Sequence, residues 1–152
     1  MTEPRIVELE QQAVAVVADV VPMTEIADFV GEAFSSVMAT TARQGVKVTG
    51  PPFTRYLGAP TTTVEVEAGF PTSAFVRAED DVRAGALPAC RAVEAMHVGP
   101  YETLGRTYDE ALRWAGEHGL SSGGDMWEEY LTDPTTAPDP ATWRTRVLIP
   151  VG

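Results

Sequence analysis

The sequence predicts an α+β domain in which one β-α-β-β unit is used twice with pseudo-two-fold symmetry. The result is a curved, mostly antiparallel sheet with two main helices on one face. Three observations predict it. Strand-like runs close at Pro22 and again at Pro100, and each is followed by apolar residues at helical spacing. PFTRYL at Pro52 to Leu57 is answered by MWEEYL at Met126 to Leu131. VEVEAGFP at Val64 to Pro71 is answered by WRTRVLIP at Trp143 to Pro150. The matches keep one order, and their offsets differ only by insertions in the helix and the hairpin loop, where insertions are tolerated.

Each element has its own signal. Arg5 to Val21 reads as extended chain, with Val14, Val16, Val17, Val20 and Val21 forming a β-branched run. Thr24 resembles an N-cap, with Glu25 and Asp28 in the first helical turn. Ile26, Phe29, Val30, Ala33, Phe34, Val37 and Met38 then make one apolar stripe, and Gly45 closes the helix. Strands follow at Phe53 to Leu57 and Thr62 to Phe70, with Gly58 and Pro60 in the turn. Thr72 to Ala89 is polar and predicts a linker with a short strand near Asp81 to Ala84. The plan then repeats. Arg91 to Val98 is a strand, Gly99-Pro100 a turn, and Tyr101 to His118 a helix with Tyr101, Leu104, Tyr108, Ala111, Leu112 and Ala115 inward. Met126 to Leu131 is a strand, Asp133 to Pro140 a proline-rich loop, and Trp143 to Val151 the last strand. A single domain over 1–152 is expected, with units at 5–71 and 91–152 and a linker at 72–90.

Composition bounds the function. The chain has 22 acidic and 11 basic residues, a net charge of −11, which repels phosphate backbones and argues against direct nucleic-acid binding. It suits cationic ligands or a basic protein partner. The lone Cys90 forms no internal disulfide, and no Cys/His spacing suggests a metal, so no cofactor is expected. The start MTEPRIVELE is not a secretory signal, and no apolar run reaches the ~20 residues of a bilayer span. No membrane association and a cytoplasmic location are expected.

The strand alternation places Glu128 and Tyr130 on one face, with Trp127 and Glu129 on the other. Tyr56 answers Tyr130, but the residue answering Glu128 is Thr54. One acid therefore breaks the repeat beside an aromatic, in a groove expected between the two units. Aromatic faces attract cations by roughly 0.5–2 kcal/mol per ring, and a carboxylate adds charge complementarity. Such a glutamate needs either a raised pKa or a hydrogen bond from a nearby tyrosine. Glu129, Arg144 and Arg146 are expected on a solvated face. His97 is expected to be a hydrogen-bonded structural residue, and His118 to complement a helix C-terminus.

HVGPYETL at His97 to Leu104, WEEYLTDP at Trp127 to Pro134 and TWRTRVLIPV at Thr142 to Val151 resemble the GyrI-like small-molecule-binding domains, found also as effector domains of AraC- and MerR-type regulators. RYLG at Arg55 to Gly58 and Val64 to Pro71 extend the resemblance over nearly the whole chain. It implies two β-α-β-β units around an aromatic-lined cleft, with Glu128 as the pocket acid. Ligand contacts are implied for Tyr130, Tyr56, Tyr101, Phe70 and Trp143. No helix-turn-helix flanks the domain, so a stand-alone form is expected. The leading expectation is a binding protein for lipophilic, cationic or aromatic molecules, acting in multidrug sensing or sequestration. A second is hydrolysis of strained, cyclopropane-containing electrophiles, with Glu128 as base and Tyr130 or Tyr101 as hydroxyl donor. A third is a gyrase-inhibitor-like role. A regulator partner stays open. Haem binding is disfavoured because His97 and His118 are the only histidines.

Overall fold

The computed structural model describes residues 3–58, 61–123, 125–133 and 136–151. Pro60 and Pro134, assigned above to loops, lie outside the described residues. The elements in chain order are β1 (Arg5–Leu9), β2 (Gln12–Pro22), α1 (Ile26–Gln44), β3 (Phe53–Leu57), β4 (Thr63–Pro71), β5 (Arg83–Leu87), β6 (Cys90–Val98), α2 (Leu104–Glu117), β7 (Met126–Tyr130) and β8 (Arg144–Pro150). Short 3-10 turns at Met23–Glu25 and Tyr101–Thr103 lead into α1 and α2.

The chain forms two compact units, one of Glu10–Ala89 and one of Met1–Leu9 with Cys90–Gly152. In the first the strands run β3-β4-β2-β5, and in the second β7-β8-β6-β1, every pair antiparallel. The two orders are the same, with β3 answering β7, β4 answering β8, β2 answering β6 and β5 answering β1. That is the duplicated α+β architecture, and its helices occupy corresponding places in the two units.

The repeat has one departure from the sequence reading. Arg5 to Val21 is two strands, and only β2 belongs to the Glu10–Ala89 unit. β1 pairs with β6, from Arg5↔Glu94 to Leu9↔Cys90. Polar Glu10 and Gln11 interrupt the run, and the β-branched run from Val14 to Val21 falls beyond them. The short strand of the linker lies at Arg83–Leu87, where it edges the sheet beside β2.

Both helices cover their sheets with an apolar stripe. α1 buries Val37 against Ala15, Phe70 and Val82, and Ala33 is buried on the same helix. α2 buries Leu104, Ala111 and Ala115 against Val93, Ala95, Val147 and Ile149. Full burial of a valine, leucine or isoleucine contributes about 1.5–3 kcal/mol, and of an alanine less. Met38 does not join the α1 stripe and is 57% exposed; Leu112 of α2 is also exposed. Thr24 caps nothing with its side chain, because the 3-10 turn starting at Met23 places it inside a turn. Gly45, at φ 67°, ends α1 in the left-handed conformation and donates to the Ala42 carbonyl. Gly69 is required for a different reason: a Cβ there would fall 1.9 Å from the Ala15 carbonyl oxygen.

By alternation, the sheet faces turned away from the helices carry charge. Arg5 and Arg146 both donate to Glu94, at 2.7 and 2.6 Å, and Arg146 also reaches Glu129 at 3.3 Å. In the other unit Arg55 and Arg83 share Glu67. Glu129 and Arg146, expected on a solvated face, are thus half-buried partners across β7 and β8. Arg144 is exposed.

Candidate functional site

β7 is short and pairs with β8 from Trp127↔Leu148 to Tyr130↔Thr145. Residues directly opposite share a face, so Glu128 shares the face of Val147, which is part of the α2 core. Glu128 is only 4% exposed. A carboxylate removed from water costs several kcal/mol unless donors replace the lost solvent. Two phenols do so here. Tyr108, from α2, donates to Oε1 at 2.7 Å, and Tyr130, two residues along β7, donates to Oε2 at 2.6 Å. Bonds this short to an ionised acceptor are among the strong class. The expectation of a tyrosine hydroxyl on this carboxylate thus holds, with two hydroxyls rather than one.

An aromatic group continues from Tyr130. The ring of Tyr101 meets it edge-on at 5.5 Å and lies against Trp143 at 5.0 Å with a 36° tilt. Such contacts add about 0.5–1.5 kcal/mol beyond burial. Trp143 is held by its indole N–H, which donates to the Ala137 carbonyl at 2.7 Å. Tyr101 is 39% exposed, so this is the face of the cluster open to solvent. Its phenol titrates above the usual range, first because of burial and then because Glu128 and Asp133 place negative charge nearby. The arrangement is a buried carboxyl group beside a partly open aromatic surface. It supplies charge complementarity, apolar contact and hydroxyl groups in one place.

Four of the six residues singled out in the sequence, Glu128, Tyr130, Tyr101 and Trp143, come together in the Cys90–Gly152 unit. The other two belong to the Glu10–Ala89 unit. Tyr56 is half-buried on β3 against the cluster of Val21, Val64 and Val66. Phe70 is a core side chain beneath α1, its ring 5.5 Å from Phe34. Sequence reasoning passed over Tyr108, which stands in the apolar stripe of α2. The available signal was its hydroxyl: a phenol on an inward helix face needs an acceptor. His97 is buried and bonded to Thr107 and Pro100, and His118 Nδ1 lies 2.8 Å from the Trp114 carbonyl at the α2 C-terminus, both as expected. Among the described residues no group of three or more His, Cys, Asp or Glu is placed to hold a metal, and no helix is long and apolar enough to cross a membrane.

The fold is thus a duplicated α+β module that buries one carboxyl group against two tyrosine hydroxyls. The chain belongs to the GyrI-like small molecule binding domain family, whose model matches residues 2–152. Among solved structures it is similar to the C-terminal domain of EcmrR, at 21% identity and a TM-score of 0.87 over 99% of this chain and 97% of that one. It is similar to a hydrolase from Listeria innocua at 16% identity, TM-score 0.73, covering 99% and 92% of the two chains. It also resembles SAV2435 bound to tetraphenylphosphonium, at 10% identity and TM-score 0.68, covering 99% and 94%. No protein of curated function matches the chain.

Proposed function

We propose that the Glu128 site binds lipophilic, cationic or aromatic small molecules, in sensing or sequestration. One observation carries the reading: a carboxylate 4% exposed, held by two phenols, beside the solvent-open ring of Tyr101. Burial of this acid is costly for the fold and is repaid by a ligand whose positive charge lies near it. At ~4 Å and an effective dielectric near 20 the attraction is about 4 kcal/mol before desolvation is subtracted. Tyr101, Tyr130 and Trp143 add cation–π and apolar contact. A structural relative holds tetraphenylphosphonium, an aromatic cation of this chemistry.

The test is equilibrium titration with tetraphenylphosphonium and two unrelated cationic dyes. Glu128→Gln is expected to weaken all three roughly 10–100-fold, since ~1.4 kcal/mol is a factor of ten. Tyr130→Ala should also weaken them, and Tyr56→Ala tests whether the other unit contributes. Unchanged affinity in both Glu128→Gln and Tyr130→Ala excludes this site.

A second reading is hydrolysis of strained electrophiles. The observation favouring it is the hydroxyl on the carboxylate: Glu128 takes a proton from an attacking water while a phenol steadies the developing oxyanion. Turnover of a cyclopropane-bearing compound, absent in Glu128→Gln, supports it. Wild-type product no greater than in buffer removes it for that substrate class.

A further inference from the structure

We infer that His97 is a positioning residue for the site: by holding the Pro100 carbonyl, it fixes the ring of Tyr101 against Tyr130 and Trp143. The inference rests on the binding reading only in treating Tyr101 as a ligand contact.

His97 is the penultimate residue of β6, is 4% exposed, and bonds to both the following turn and α2. Its Nε2 lies 2.9 Å from the Pro100 carbonyl oxygen and 3.2 Å from the Thr103 hydroxyl; the carbonyl only accepts, so the tautomer that bonds it is the one with a hydrogen on Nε2. Nδ1 lies 2.7 Å from the Thr107 hydroxyl on α2. The Thr103 hydroxyl donates to the same Pro100 carbonyl at 3.0 Å. Between His97 and Pro100, Gly99 takes φ 132°, a conformation that strains any side chain, and its N–H donates to the Trp143 carbonyl at 2.8 Å. One turn therefore sets both partners of the aromatic pair. Gly99 ties in Trp143, and the His97–Pro100 bond fixes the residue immediately before Tyr101.

The other repeat shows that the step from the proline into the 3-10 turn does not itself need the imidazole, although it has no counterpart of the Gly99 conformation. There Pro22 stands in the place of Pro100, and a 3-10 turn at Met23–Glu25 again leads into the helix. The residue three before the proline is Asp19, exposed, its carboxylate accepting only from the neighbouring Val20 N–H among the bonds described. The residue after the proline, Met23, is 44% exposed. The turn thus forms twice, and the histidine anchor accompanies the copy that carries the tyrosine and the buried glutamate.

Asparagine and glutamine separate the two bonds. A glutamine amide reaches the position of Nε2 and keeps the Pro100 donor, whereas an asparagine amide reaches only that of Nδ1. With 13C-labelled tyrosine, NMR follows the Tyr101 phenol and its contacts with Trp143 in the ligand-free protein. In His97→Asn the Tyr101 titration is expected to fall toward that of an ordinary phenol, with the Trp143 contacts weakened. His97→Gln should keep both. Tetraphenylphosphonium affinity should drop about two- to fivefold in His97→Asn, the loss of one well-placed aromatic contact, and stay near wild type in His97→Gln. Should His97→Asn not fold, Thr103→Val removes the other side-chain donor to the same carbonyl and should move the Tyr101 titration part of the way. Identical Tyr101 behaviour in Asn and Gln variants, or no movement in Thr103→Val when that is the variant used, overturns the inference. A shifted Tyr101 with unchanged tetraphenylphosphonium affinity leaves the positioning role standing and counts against Tyr101 as a ligand contact.

Discussion

Tyr108→Phe is the most direct probe of the buried carboxylate, because it deletes one oxygen atom and leaves the ring in the α2 core. The phenol donates to Glu128 Oε1 at 2.7 Å, and Glu128 is 4% exposed, so water does not readily replace the lost donor. A hydrogen bond to a charged acceptor is worth about 1.5–3 kcal/mol, whereas a neutral pair is worth about 0.5–1.5 kcal/mol. The substitution should therefore cost about 1.5–3 kcal/mol in the wild-type background and roughly 3–12 °C in Tm for a chain of this size. In Glu128→Gln the acceptor is a neutral amide, and the same substitution should cost about 1 kcal/mol less. Urea unfolding of the wild type, both single variants and the double variant closes the cycle. Equal costs in the two backgrounds, within ~0.3–0.5 kcal/mol, would show that the phenol and the carboxylate do not act as a pair.

Two further outcomes test the frame around the site. Gly69→Ala should cost about 3 kcal/mol or more in urea unfolding, since its methyl would meet the Ala15 carbonyl oxygen; a wild-type midpoint would show that the β2–β4 backbone spacing is wrong. Burial raises the Glu94 carboxyl, but the hydrogen bonds from Arg5 and Arg146 outweigh it and hold the pKa below the ordinary 4.5. Its stabilisation is present above 4.5 and is lost as pH falls through the lower folded value, so Glu94→Gln should flatten the acid limb of stability; an unchanged limb rules the pairing out.

The repeat was legible because alternation and proline punctuation are local: β3, β4, β7 and β8 lie where their sequence runs place them. Glu128 was legible for the same reason, as a departure from a pattern whose partner, Thr54, is buried in the matching strand. What escaped was non-local. Nothing in Arg5–Leu9 says that it pairs with β6 across the length of the chain rather than extending β2. Glu129 and Arg146 read as solvated until the register sets them opposite each other. Tyr108 lies on the predicted face of α2, but helical spacing orients a side chain without saying which strand residue its hydroxyl will reach. Phe70 was carried over from the resemblance and is a core ring of its own unit, since its strand position alone does not distinguish a pocket wall from packing.

The asymmetry of the two repeats bears on the proposed binding role of the Glu128 cluster. Positions answering Glu128, Tyr108, Tyr101 and Trp143 are Thr54, Val30, Met23 and Val64, and the unit built from them has the same strand order. The architecture therefore forms without an ionisable group at this place. A fold selected for stability alone gains nothing from a desolvated carboxylate, because well-packed apolar residues in place of buried charge are often as stable or more so. The second unit nevertheless commits an acid, two phenols as its donors, and an anchored tyrosine and tryptophan beside it. Those residues are mutually dependent: the acid needs the phenols, and the open face of the cluster needs Tyr101 held in place. The proposed ligand, by compensating the buried charge, would account for such a set, and the proposal predicts that it stabilises the Cys90–Gly152 unit most where Glu128 is intact.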